Sequence, residues 1–472
     1  MRTTGTWKRI VTGLACAAMF ASTLTGCWKE EEKVPVIELM EAEEPDVYGI
    51  DFLGGTDVMP IAGYYGPLPS NYSVDGQNLP DYISDEFMEK IRESGINFLH
   101  HQYTYYGQTP GKAVELLKLA EKYGIAVCVF DERITGNLGE DTLSVDEIDA
   151  LVREYRDYPA FSGLYVLDEP GGSTYWTEHD KMIPDYGQLF ANLKELEVFS
   201  YSNLFPLTSY SNRENYEIYL QEYIDTCDVY YLSWDKYIWD KGNDVKDYFA
   251  NMSLCRKYAE KAEIPFWPYI QAGSQWNDSF SRFDTNGYYP NEGQLWWNVN
   301  TCLAYGAKGI QYFPLIQPYY FAYAVAEPFD FERNGIFGAM GNKNRWFYYI
   351  QGVNKQIAAV DEILMNSVNK GMIATGKEAI EANAYSDYML DGDSWRELTG
   401  VEGDTLIGCF NYQGRSAFYV VNYDYEYAQK ITLNFADNYD MSVVQNAKET
   451  YINTKRLELT MAPGEGVLMV IE

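Results

Sequence analysis

Residues Phe161–Pro170 read Phe-Ser-Gly-Leu-Tyr-Val-Leu-Asp-Glu-Pro. Leu164, Tyr165, Val166 and Leu167 form a short apolar run, the pattern of a strand buried on both faces. Two carboxylates follow at once. Pro170 lacks an N–H and keeps Glu169 out of helical backbone angles, so the strand ends there. Asp168 and Glu169 therefore sit at the carboxyl end of a buried strand, the end where parallel α/β architectures place their chemistry. The plainer alternative is a pair of solvated loop acids.

Outward from this stretch, apolar runs alternate with amphipathic segments. Upstream, the patterning predicts strands at Met59–Tyr65, Ile96–Gln102 and Ile125–Phe130 and helices at Ile83–Ser94, Gly111–Tyr123 and Ser144–Tyr158. Ser144 with Glu147 has capping-box spacing. Downstream, strands are expected at Phe199–Phe205, Asp228–Leu232, Pro265–Ile270 and Gly309–Phe313. The intervening helices are Tyr186–Leu196, Glu214–Asp225, Asp244–Ala262 and Glu292–Tyr305, and a long helix Asn344–Leu364 closes the series. Eight strand–helix units in series are what a (β/α)8 TIM barrel needs. An open doubly wound sheet is the alternative, but no glycine-rich phosphate loop follows the first strand. From about residue 369 the texture changes to short alternating runs (Thr405–Tyr412, Ser416–Tyr423, Lys430–Phe435, Arg456–Met461, Gly466–Ile471) separated by turn residues, which predicts a small antiparallel β-sandwich domain.

The N-terminus reads as a targeting segment. Arg2, Lys8 and Arg9 precede the apolar stretch Ile10–Leu24, and Leu24-Thr25-Gly26-Cys27 follows. This resembles a bacterial lipoprotein signal, which implies cleavage before Cys27 and lipid on that cysteine. The expected division is 1–26 signal peptide, 27–48 acidic tether, 49–366 barrel and 367–472 sandwich. The expected location is extracytoplasmic, held to the cell membrane by lipid alone.

A net charge of −33 disfavours nucleic acid, anionic membrane surfaces and polyanionic glycans as partners. Aromatic residues make up 16% of the chain, with 43 Tyr and 11 Trp, a supply suited to clefts where sugar C–H faces stack on rings. Of seven cysteines, the five beyond Cys27 are scattered and make neither a disulfide framework nor a metal spacing. With only three histidines, a histidine-based zinc site is not expected, and no cofactor is implied.

Three stretches carry a family resemblance. Leu164–Pro170, Asp228–Tyr237 (Asp-Val-Tyr-Tyr-Leu-Ser-Trp-Asp-Lys-Tyr) and Cys302–Phe313 (Cys-Leu-Ala-Tyr-Gly-Ala-Lys-Gly-Ile-Gln-Tyr-Phe) resemble segments of the bacterial (β/α)8 glycoside hydrolases of clan A, including beta-galactosidase-like barrels. The resemblance covers most of Met59–Leu364. It implies a glycosidase acting on an oligo- or polysaccharide, with Glu169 as the acid/base at the end of strand four. The chain departs from that family in two places. Asp168 stands where the family has Asn. Strand seven ends in Gln271, where the family has a nucleophilic glutamate.

Glycoside hydrolysis by the usual route needs two carboxylates. Asp131, Glu132, Asp168, Glu169 and Asp235 all fall at strand ends. Glu169 with Asp235 is the first pair, its roles open to reversal, and Asp131 or Asp168 are the other partners for Glu169. Tyr64, His101, Asp131, Asp168, Trp234, Gln271, Trp276 and Gln311 are expected to bind the sugar. His100 and His101 are adjacent, so only one of them points into the barrel. A second reading follows from Gln271: a catalytically silent, surface-anchored carbohydrate-binding lipoprotein. A second carboxylate close to Glu169 separates the two.

Overall fold

The computed structural model describes residues 42–45, 47–67, 73–74, 77–78, 80–101, 110–172, 182–239, 245–273, 290–316, 335–338, 340–391, 395 and 397–472. Eight parallel strands run in the order expected of a barrel: β1 (Ile61–Tyr64), β2 (Phe98–His101), β3 (Ala126–Val129), β4 (Phe161–Asp168), β5 (Ser200–Asn203), β6 (Leu232–Trp234), β7 (Phe266–Gln271) and β8 (Ile310–Phe313). Each pairs with its sequence neighbours, and β8 pairs back onto β1. A bridge between Leu204 and Trp234 joins β5 to β6, and this closes the barrel.

A long helix follows each strand: α1 (Asp85–Glu93), α2 (Pro110–Tyr123), α3 (Val145–Arg156), α4 (Ile183–Glu195), α5 (Arg213–Cys227), α6 (Val245–Lys261), α7 (Glu292–Ala304) and α8 (Arg345–Ile357). Side-chain caps start several of them. Ser84 accepts from Phe87 N–H, and Ser144/Glu147 and Asn291/Gln294 form reciprocal capping boxes. Two expectations shift. The sixth strand starts at Leu232 because Asp228, in left-handed conformation, is spent ending α5. The long helix expected over Asn344–Leu364 breaks after Ile357 and restarts at Asp361, whose carboxylate accepts from Met59 N–H at the foot of β1.

The barrel interior is aromatic. Tyr64, Phe98, Tyr165, Phe199, Tyr201, Tyr231, Trp267 and Tyr269 form one buried cluster with Ala62, Ala126 and Cys128. Tyr231 stacks on Trp267 at 4.0 Å, and Tyr48, from the segment before β1, stacks on Phe199 at 4.7 Å and plugs the floor. Residues 42–45, expected in the tether, lie against the folded body: Glu43 pairs with Lys370 at 2.8 Å. Small residues make room for the rings. A Cβ at Gly163 (φ +146°) would lie 2.1 Å from the Phe199 carbonyl oxygen, so only glycine fits.

The C-terminal domain is one antiparallel sheet: β9 (Ser367–Thr375), β10 (Leu398–Glu402), β11 (Thr405–Tyr412), β12 (Arg415–Asn422), β13 (Gln429–Gln445), β14 (Lys448–Met461) and β15 (Gly466–Ile471). The 17-residue β13 pairs with β10 along its first half and β15 along its second, with the register of its β14 pairing broken between Asn434 and Tyr439. At that bend the sheet folds over, so Ile407, Phe418, Val420, Val467 and Met469 meet Ile431, Leu433 and Phe435 in a second core. The opposite faces of β11, β12 and β15 join the barrel core through Leu406, Phe410, Tyr419 and Leu468. Burial on both faces explains the unbroken apolar runs of these strands.

α7 is the seam. Tyr419 OH donates to Asn300 Oδ1 at 2.7 Å, and Asn300 Nδ2 donates to the Gly464 carbonyl at 2.8 Å. A Cβ at Gly408 would stand 2.3 Å from the Ala304 carbonyl oxygen. Gly408→Ala is therefore expected to cost about 1–3 kcal/mol by overpacking this seam. The check is urea unfolding followed by circular dichroism. An unchanged midpoint would show that the seam does not hold the sheet to the barrel.

Candidate active site

Three carboxyls converge at the barrel mouth, and a backbone irregularity brings them together. In β4, Tyr165 is in register with Tyr201 and Leu167 with Ser202, so Val166 is an extra, unpaired residue. Side chains alternate along a strand, so a regular β4 with Tyr165 inside would turn Asp168 outward. The bulge resets the alternation and turns Asp168 inward. Glu169 then takes a positive φ of 46°, uncommon for a residue with a side chain, while its N–H still bonds the Asn203 carbonyl at 2.9 Å. That kink carries Glu169 across the mouth to Asp235, just beyond β6, where the two carboxyls interact directly.

Donors surround the cluster. Tyr64 OH donates to Asp168 Oδ2 at 2.8 Å, which leaves Tyr165 OH to donate to the Tyr64 oxygen, also at 2.8 Å. Asn203 Nδ2 donates to Asp235 Oδ1 at 3.1 Å and lies near enough to Asp168 to favour its charged form. The half-buried rings of Tyr65, Phe313 and Tyr237 form an aromatic rim: Phe313 lies 5.5 Å from Tyr65 and 5.6 Å from Tyr237. Among the described residues, no group of three or more His, Cys, Asp or Glu has the arrangement to hold a metal ion.

No family model matches this chain, and no curated protein matches it. Among solved structures it is similar to the alpha-amylase of Geobacillus thermoleovorans (10% identity, 88% of this chain and 99% of that one, TM-score 0.48). It is also similar to the beta-galactosidase of the psychrophilic Marinomonas ef1 (12% identity, 67% and 63%, TM-score 0.44). A third is an endo-alpha-mannosidase of Bacteroides thetaiotaomicron (15% identity, 54% and 84%, TM-score 0.34). The fold assignment rests on the closed strand order of this chain itself.

The other expected site residues part ways. Tyr64 lies in the cluster. His101 has the outward parity of Leu99, so the interior histidine is His100 in place of the expected His101: its Nε2 lies 2.7 Å from Gln311 Oε1 and its ring stacks on Tyr201 at 3.8 Å. Trp234 also points outward, packing on Phe266 in the core between barrel and helices, because Ser233 and Asp235 take the inward positions. Asp131 is a structural acid. It caps the short helix Glu132–Thr135, grips the Arg133 guanidinium at 2.6 Å and accepts from Tyr155 OH at 2.8 Å. Gln271 clamps the segment after β6, its amide bonding both the N–H and the carbonyl of Trp239. Gln311 is wholly buried below the mouth, and Trp276 lies outside the described residues. Sequence reasoning missed Asn203 and the aromatic rim. Ser-Tyr-Ser-Asn at residues 200–203 carries no motif, although its position at a strand end was available as a signal.

The electrostatics sort the three acids. Burial, then the charges of Asp235 and Asp168, push Glu169 well above the usual carboxylate range. Burial, then Asp168, push Asp235 up to about 7, against the lowering effect of its bonds to Asn203 and Glu169. Burial pushes Asp168 up to about 6, with Tyr64 and Asn203 pulling it down. Asp168 also opens to the cleft, and water on that side favours its charged form. Asp131 goes the other way. Burial raises it, but Arg133 and Tyr155 outweigh burial and hold it below the usual range.

These directions fix a pH dependence. The folded chain keeps protons on the cluster that unfolded carboxyls release above about pH 4, so stability is lost as pH rises through about 6 to 7. Asp131 contributes stability that is present at those pH values and lost only on acidification. The melting temperature of the wild type should fall between pH 5.5 and 8.5, and Asp235→Asn should flatten that fall. Parallel curves for the two proteins would show that the cluster is not the source.

Proposed function

We propose that this protein is a glycoside hydrolase acting on a neutral or cationic glycan, with Glu169 as proton donor and Asp235 as its carboxyl partner. One observation carries the reading: the carboxyls of Glu169 and Asp235 face each other closely enough to interact directly at the mouth of a closed barrel, and burial together with that proximity pushes Glu169 well above the usual carboxylate range. Carboxyls pushed to different pKa values divide into an acid and a base. The silent-binder reading needed Glu169 to stand without a carboxylate partner, and this contact speaks against it.

The chemistry requires little more. A glycosidic oxygen that replaces Asp235 as acceptor takes the Glu169 proton as the bond to the anomeric carbon breaks, and the bonding electrons leave with that oxygen. Water adds at the anomeric carbon, and its proton passes to an ionised carboxylate, Asp168 or Asp235. Tyr65, Phe313 and Tyr237 offer ring faces for the sugar, and the net charge of −33 keeps polyanionic glycans away.

A panel of aryl glycosides and oligosaccharides tests the reading by sugar release. Glu169→Gln should lower kcat/KM by about 10²–10⁴ on any sugar the wild type cleaves. Unchanged turnover would remove Glu169 from the chemistry. The proposal includes the anchor: lipid on Cys27 would hold the enzyme at the outer face of a membrane. Cys27→Ser should then move the protein from the membrane fraction to the soluble fraction and abolish incorporation of labelled fatty acid. Equal labelling of both would exclude Cys27 as the anchor.

A further inference from the structure

A chain of buried polar side chains crosses the aromatic interior beneath the carboxyls. The polarity of its first links follows from a single backbone group. The Trp267 carbonyl accepts from Gln311 Nε2 at 2.7 Å, so the nitrogen end of that amide is fixed. Gln311 Oε1 must then accept from His100 Nε2 at 2.7 Å, which leaves His100 Nδ1 without a proton, and Nδ1 is buried with no partner. Burial holds this imidazole down to about 3, so it stays neutral. The second N–H of Gln311 donates to Ser233 Oγ at 2.8 Å, and Ser233 Oγ donates onward to Asn203 Oδ1 at 3.0 Å. With its oxygen occupied, Asn203 presents only its NH2 end to the mouth, where it meets Asp235 and Asp168.

We propose that Asn203 is a positioning residue whose amide, locked by the His100–Gln311–Ser233 chain, stabilises the charged forms of Asp168 and Asp235 and thereby assigns the cluster's proton to Glu169. This rests on reading Glu169 as the proton donor. The donors go to two of the three acids: Asn203 to Asp235 and Tyr64 to Asp168, while the side chain that faces Glu169 is Asp235 itself. A flipped Asn203 amide would set its oxygen against two carboxylates and reverse the preference. The remaining titratable groups facing the cluster are phenols. Tyr64 from β1, Tyr165 from β4, Tyr201 from β5, Tyr269 from β7, Tyr237 beyond β6 and Tyr219 from α5 are all pushed upward by burial and stay neutral.

The test is an infrared difference titration of the whole protein between pH 5.5 and 8.5. Ordinary carboxylates are already ionised over that range, so the carboxyl band reports raised acids. Subtracting the Asp235→Asn spectrum isolates Asp235. Asn203→Leu should move the Asp235 midpoint upward by about one pH unit, the size expected for losing a hydrogen bond to a charged group. Ser233→Ala, which unlocks the amide and leaves Asn203 in place, should move it the same way, and Ser233→Thr should restore it. Folded Ser233→Ala and Asn203→Leu proteins that titrate like the wild type would overturn the proposal. If Asn203→Leu does not fold, the Ser233 pair decides alone. Failure of the wild type to cleave any glycoside would remove the donor role of Glu169 from the proposal, and the titration would still decide what orients the aspartates.

Discussion

One extra residue in one strand makes this site. Without Val166 unpaired in β4, the alternation of side chains would turn Asp168 toward the helices and leave the barrel mouth one carboxyl short. The bulge, and the left-handed kink at Glu169 after it, put adjacent residues to different uses: Asp168 onto Tyr64 inside the mouth, Glu169 across it onto Asp235. Backbone strain of this kind persists only where the surroundings enforce it. Pro170 enforces it from one side, since it has no N–H for a continued strand and its carbonyl is held by Tyr219 OH at 2.9 Å. The Asn203 carbonyl, bonded to Glu169 N–H, enforces it from the other.

Three acids in a desolvated mouth would repel one another if all were ionised. The protein resolves this by unequal solvation. Asp168 is exposed to the cleft and accepts from Tyr64, whereas Glu169 is pushed furthest up by burial and by the charges of Asp235 and Asp168. The aromatic barrel interior sets the conditions for this. Rings of Tyr64, Tyr165, Tyr201 and Tyr269 exclude water from below, and their hydroxyls supply neutral dipoles at the layer where the acids sit. The polar chain from His100 to Asn203 is a continuous hydrogen-bonded path through that interior, and the carbonyl of Trp267 fixes the donor directions of its Gln311 and His100 links.

The barrel was legible in the sequence because period and order are local properties. Apolar runs such as Leu164–Leu167 and caps such as Ser144 with Glu147 declare strands and helix starts one at a time, and closure follows from their number. The folding of the C-terminal sheet on itself was half legible. Five of its runs were plain, but the strands Ser367–Thr375 and Leu398–Glu402 were not, and the bend that turns Gln429–Gln445 through two layers depends on pairing partners distant in sequence. The site was legible as strand-end acids and not as geometry. Side-chain direction depends on parity, and one bulge inverts it. That is why Trp234 and His101, which sit at strand ends, face the helix layer, whereas Asn203, in an unremarkable run, faces the acids. Asp131 misled for a different reason: its neutralising partner, Arg133, lies only two residues away but engages it through a helix cap that strand patterning does not show.

The central claim is that a proton resides between Glu169 and Asp235 while Asp168 is ionised. Neutron diffraction from deuterated crystals grown near pH 7 tests this by direct observation of the deuterons. The account predicts density for a deuteron bridging the Glu169 and Asp235 carboxyls, none on Asp168, and the Tyr64 and Asn203 deuterons directed at the aspartates. A deuteron on Asp168, or Glu169 and Asp235 found apart and both ionised, would contradict it.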